Sequence, residues 1–208
     1  MEALGALDVA WREHVADEHE RFDRLVARHG EPQRHYHRIE HVAAVVRDVI
    51  ELAEDEALPY AELDLVVAAA MFHDAVYDPT ASANEVRSAD LARSELSALG
   101  WSTADIERVA ALIVGTATHH DPVDLATAVL FDADLAILGT TPDGYEHYRS
   151  AVRLEYSHVA DADWRRGRTA VLRAFMDRPA IYASSSGARR WERNAQANLA
   201  AELSALTA

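Results

Sequence analysis

The feature that most constrains this chain is its helical punctuation. Apolar residues recur at three- and four-residue spacing almost throughout, and each run is closed by glycine or opened by proline or a capping residue. Leu7–His29 carries Trp11, Val15, Phe22, Leu25 and Val26 and stops at Gly30. A second helix is predicted over Tyr36–Ala53 and a third over Tyr60–Tyr77, between Pro59 and Pro79. Ser82 with Glu85 reads as a capping box opening a fourth that Gly100 closes, and Ser102 with Asp105 opens a fifth reaching Thr118. Pro122 starts a sixth that runs to Gly139, and Thr141–Pro142 starts a seventh that runs to His158. The last two cover Ala162–Asp177 and Ala188–Leu206. No period-2 strand, repeat or long Gly/Ser/Pro linker interrupts them. The expectation is one compact all-α domain over residues 1–208, with about nine helices.

Composition then removes whole chemistries. There is no cysteine, so disulfides, thiol nucleophiles and thiolate metal sites are absent. All 20 basic residues are arginine, which excludes Schiff-base lysines and the P-loop lysine. A formal charge of −15 opposes binding to nucleic acid. The start carries Glu2 and Asp8 where an export leader is basic, and the longest apolar run, Leu65–Phe72, is too short to span a bilayer. These features predict a soluble cytoplasmic protein with no membrane partner. The arginine-for-lysine usage hints at a GC-rich bacterial genome. The 11 histidines leave imidazole, carboxylate and guanidinium as the available chemistry.

Three places put polar groups where apolar ones belong. His73–Asp74 lies in "AAAMFHDAVYDP", at the end of the most apolar stretch and, on the predicted boundaries, inside a helix. His120–Asp121 repeats the dipeptide in a polar junction before a proline, so the dipeptide alone carries no information. "LFDADLAIL" embeds Asp132 and Asp134 in an apolar helix, and they point about 200° apart. Asp134 shares its stripe with Leu130, Phe131, Ile137 and Leu138 and therefore needs a positive partner. Asp132, among smaller neighbours, is predicted to support a ligand by hydrogen bonding. "EPQRHYHRIEHV" places His37 and His41 four apart on one face and offers a further nitrogen. An imidazole, a His-Asp pair and a carboxylate on separate helices suit a divalent cation such as Mn, Mg, Fe, Ni, Co or Zn, with positions left for water. Otherwise they are buried hydrogen-bonded couples.

The order H…HD…D in a helical chain resembles the HD superfamily of metal-dependent phosphohydrolases. "GEPQRHYHRIEH", "FHDAVYDP", "NEVRSAD", "DADLAILG" and "VRLEY" are similar, in that order, to successive blocks of a bacterial family of HD phosphohydrolases. The resemblance implies an HD-domain helical bundle with metal ligands at His41, His73, Asp74 and Asp134, and Asp132 as the alternative to the last. It does not name a substrate; the leading reading is a hydrolase of a small phosphorylated metabolite or nucleotide, in which metal-bound hydroxide attacks phosphorus. On that reading Arg34 and Arg153 bind substrate phosphate, unless each is an ordinary surface ion pair, and Glu85 is the general base, unless it only caps its helix. His119 is either a further ligand or acid, or a plain polar helix end. The rival functions are an HD-type di-iron oxygenase and a non-catalytic nucleotide-binding sensor. The amphipathic last helix allows a homo-oligomer.

Overall fold

In the computed structural model, which describes residues 2–207, the central element is the one whose sequence has no polar face. Helix α4 (Tyr60–Phe72) is apolar all round from Val66 to Phe72, and each of those residues is buried. A helix without a solvent face has to be surrounded. It packs on α1 (Glu2–His14), α3 (Ile39–Asp55), α5 (Asn84–Ala98), α6 (Thr103–Gly115) and α7 (Leu125–Asp134). Helix α2 (His19–Arg28) adds Phe22 and Leu25 to the same core.

A second apolar cluster follows in the chain. After α7 comes a 3-10 turn (Leu135–Gly139), then α8 (Pro142–Glu155), α9 (Asp161–Met176) and α10 (Ser185–Thr207). Leu138, Tyr145, Leu172, Tyr182 and Leu199 form its centre, and Trp191 packs against both clusters. Gly139 lets α10 approach, because a Cβ there would lie 2.8 Å from the Trp191 main chain. All described helices and turns agree with an all-α HD-type bundle, and no strand occurs among the described residues. No single helix among them is long and apolar enough to cross a membrane.

Four predicted boundaries are corrected, and each correction has a tertiary cause. The first helix is two, because the chain bends at residues 15–18 and sets Trp11 against Phe22, with ring centroids 5.8 Å apart. The third helix stops at Phe72 rather than Tyr77. Arg34 donates to the carbonyls of Asp74 at 2.8 Å and Ala75 at 3.4 Å, and Ser88 Oγ accepts from Val76 N–H at 3.0 Å. Those groups are then lost to a continued helix. The Ser82–Glu85 capping box does not form. The N-cap is Ala83 in the left-handed region, and Asn84 pairs instead with the main chain of Asp78. The sixth helix tightens to 3-10 after Asp134, where the Tyr182 hydroxyl donates to the Leu135 carbonyl at 2.9 Å. The caps at Ser102 and Thr141 form as the sequence predicts, each accepting from the main-chain N–H three residues on.

Candidate metal centre

Three segments end around one point. Helix α3 brings His41 in its first turn, the exit of α4 brings His73 and Asp74, and the last residue of α7 is Asp134. His41 Nε2 and His73 Nε2 stand 3.2 Å apart, and Asp134 Oδ1 lies 3.2 Å from the first and 3.5 Å from the second. Asp74 Oδ2 lies 3.1 Å from His73 Nε2 and 3.4 Å from His41 Nε2. His41, His73 and Asp134 thus form a candidate cation site, with Asp74 beside both imidazoles. His73–Asp74 is not inside a helix; it is the turn that ends one, which frees both side chains to face the same side.

The donor set fits a divalent metal on two grounds. His73 Nδ1 is 2.8 Å from the Ala70 carbonyl, which can only accept, so Nδ1 carries a proton and Nε2 is the nitrogen turned to the cluster. His41 Nε2 and His73 Nε2, at hydrogen-bond distance from each other with carboxylate oxygens around them, need a shared positive charge, which a proton or a cation provides. The electrostatics agree. Burial pushes Asp74 and Asp134 up, but the charge of His73 and hydrogen bonds from the surrounding histidines outweigh it, and both carboxyls sit well below the ordinary range. Burial pushes His73 down, but Asp74 and Asp134 raise it well above its usual value; His41 is raised in the same way. The site attracts positive charge strongly.

Two more histidines border it. His119, in the left-handed region, places Nε2 2.7 Å from Asp134 Oδ2. His37 Nε2 is 4.0 Å from Asp74 Oδ2, while its Nδ1 is held by Glu155 Oε2 at 2.7 Å. By contrast, the other dipeptide pairs only with itself: His120 and Asp121 are largely exposed.

Glu155 is the residue that sequence reasoning missed. Its Oε1 accepts from the main-chain N–H groups of His35, Tyr36 and His37, and its Oε2 also accepts from the Tyr77 hydroxyl. It therefore builds the loop that enters α3. The available signal was the buried stripe Tyr145, Val152, Glu155 on α8, with a carboxylate at its end.

Three expected site residues, and Asp132 as the alternative ligand, lie elsewhere. Arg34 is buried, and its guanidinium bonds the carbonyls of His37, Asp74 and Ala75 and the carboxylate of Glu31. It braces the two metal-site loops from behind. Arg153 bonds the carbonyls of Tyr156 and Val159 and the Asp161 carboxylate, and covers the Trp164 ring. Glu85 has no hydrogen bond to the cluster among the described residues and lines neither cavity beside it. Asp132 faces away from Asp134 and accepts from the N–H groups of Ala183 and Ser184 at 2.8 and 2.7 Å. It anchors the entrance of α10.

Two cavities meet at Asp134. One of about 520 Å³ opens past His37 and His119 toward α8 and α9, and one of about 570 Å³ opens past His41 toward α3 and Trp191. Comparison with known families finds that a model described as HD domain matches residues 38–162, which contain His41, His73, Asp74, His119 and Asp134. No curated protein and no solved structure matches.

Proposed function

The chain belongs to the HD domain family of metal-dependent phosphohydrolases, and from that premise we propose that it hydrolyses a small phosphorylated molecule. The single observation that supports this most is the convergence of His41, His73 and Asp134, with Asp74 beside them, at the meeting point of two cavities. On this reading all four would hold the cation. The mix of two imidazoles and two carboxylates favours a borderline transition metal over magnesium, which prefers oxygen alone. When bound, such a cation supplies Lewis acidity, lowering the pKa of a coordinated water toward ~7 and offsetting negative charge on a phosphoryl oxygen.

The remaining residues orient and transfer protons. The Ala70 carbonyl keeps His73 in the tautomer that offers Nε2. Glu155 and Arg34 hold the loops of His37 and Asp74 still, which preserves the alignment of water and phosphorus. His119, on the outer oxygen of Asp134 and at the wall of the apolar cavity, is the candidate to hand a proton to the departing oxygen.

The decisive experiment is a panel of phosphorylated metabolites assayed with manganese, cobalt, nickel and magnesium, before and after chelation and dialysis. Activity that disappears with the metal and returns with it supports the proposal; full activity in a metal-free sample refutes it. One observation favours the oxygenase as second reading. Asp134 turns one oxygen to His41 and His73 and the other to His119, so His119 would offer a further nitrogen donor if a second metal ion were held. Two irons per chain after anaerobic purification would select it.

A further inference from the structure

The two cavities differ in chemistry, and the difference identifies a substrate class. The cavity beside His119 is walled by Tyr36, Tyr156, Trp164, Phe175, Val152 and Val171, and its lining presents far more apolar than polar surface. Among its lining residues the one guanidinium is Arg168. That group is buried and bound by both oxygens of Glu202 at 2.9 Å, so its charge is already balanced. A wall of this kind favours an aromatic or bulky apolar group and penalises an ionised one.

The other cavity, reached past His41, has a similar apolar surface but carries more polar groups. It is lined by Arg38, which has no hydrogen-bond or ion-pair partner among the described residues. Arg47 on the same wall is taken by Asp48 at 2.8 Å, and Glu40 adds a negative charge. One free guanidinium beside the metal ligands suits one phosphoryl group. It does not suit a chain of phosphates, which would bring several charges into a site where Arg38 is the one guanidinium not already paired among the described residues and Glu40 is an acidic neighbour.

We infer that the substrate is a phosphate monoester of an aromatic or bulky apolar alcohol, lying with its alcohol portion in the cavity of Trp164 and its phosphoryl group toward Arg38. This inference rests on the phosphohydrolase reading. Asp134, Tyr36 and Tyr148 line both cavities, so the ester bond crosses between them at the metal ligands. Hydrolysis breaks the ester P–O bond, forms a P–O bond to the water oxygen, and releases inorganic phosphate and the alcohol, whose oxygen takes the proton. A volume of about 520 Å³ accommodates one or two fused rings.

The test uses non-hydrolysable probes, so that leaving-group reactivity plays no part. The manganese-loaded protein is titrated calorimetrically with benzylphosphonate, methylphosphonate and methylenediphosphonate. Benzylphosphonate is expected to bind at least about tenfold more tightly than methylphosphonate. Val171→Asp, at the half-exposed rim, removes that advantage, and Trp164→Ala reduces it. Arg38→Gln weakens both monophosphonates by a similar factor, about three- to tenfold, and leaves their ratio intact. Tightest binding by the diphosphonate, or equal binding of the benzyl and methyl probes, overturns the inference. Hydrolysis of phosphate esters alongside equal probe binding refutes the ligand class and leaves the activity standing. Tight benzylphosphonate binding without hydrolysis of any ester refutes the activity and supports the ligand class.

Discussion

Glu155 Oε2 accepts from His37 Nδ1 at 2.7 Å, although the two residues are 118 positions apart in the chain. The same carboxylate holds three consecutive main-chain N–H groups and the Tyr77 hydroxyl, so one buried side chain joins α8 to both loops of the metal site. Burial opposes its charge, yet the His37 hydrogen bond and charge and the main-chain donors hold its carboxyl down to about 2. The ordinary value is 4.5, so the stabilisation is complete above that pH and is lost as pH falls toward 2. Glu155→Gln should cost about 3 kcal/mol near pH 7, and the gap to the parent should narrow as pH falls from 5 to 3. Urea titrations at several pH values measure it; a gap that stays constant is the contrary result.

His29 gives an acid limit of its own. Burial first, and the Arg34 charge second, push its imidazole down to about 3 from 6.5. The unfolded chain therefore binds a proton that the folded chain refuses between those values, so stability is full above pH 6.5 and falls as pH drops toward 3. At pH 4.5 this amounts to about 3 kcal/mol. His29→Gln should lose correspondingly less stability between pH 7 and pH 4.5. Parallel losses in both proteins would show that His29 is not the group responsible.

Metal content separates the ligands from their look-alikes. His73→Ala and Asp134→Asn should bind transition metal at least about tenfold more weakly, since each removes an inward-facing donor. His120→Ala and Asp132→Asn should stay loaded, because His120 is exposed and Asp132 faces α10. Elemental analysis of the four purified variants decides, and an empty Asp132→Asn protein would reverse the assignment of the two aspartates.

The entrance of α10 depends on one close approach. A Cβ on Gly187 would lie 2.4 Å from Asp132 Oδ2, so Gly187→Ala has to displace the carboxylate from Ala183 and Ser184. Leaving the buried Ser184 N–H, and the part-buried Ala183 N–H, without an acceptor costs about 1–3 kcal/mol. Thermal unfolding should show Gly187→Ala and Asp132→Ala destabilised alike, and the double variant little worse than either. Additive losses would mean that the two residues act separately.

The arginines give a stability contrast. Arg34→Ala should destabilise by about 2–3 kcal/mol, because it strips a charged donor from the carbonyls of His37 and Asp74. Arg153→Ala removes a half-exposed pair with Asp161 and should change kcat/KM less than about twofold. A large rise in KM for Arg153→Ala would restore it as a phosphate ligand.

The sequence by itself determined the helical class, several of the helix ends and the anomaly of the site. Helical periodicity, Gly and Pro stops and the caps at Ser102 and Thr141 act within a few residues, so they read directly from the chain. So does the misplacement of His73, Asp74 and Asp134, because a charge in an apolar run is visible without coordinates. Tertiary structure alone decided where α4 stops, because Arg34 captures the Asp74 carbonyl from 40 residues away. It also turned the Arg34 guanidinium onto the carbonyls of His37 and Asp74, and brought Glu155 against His37. Only the packed structure could set an aromatic cavity on one side of Asp134 and a free guanidinium on the other. A buried polar group takes its role from whichever partners satisfy it, and here those partners come from segments that meet only once the helices have packed.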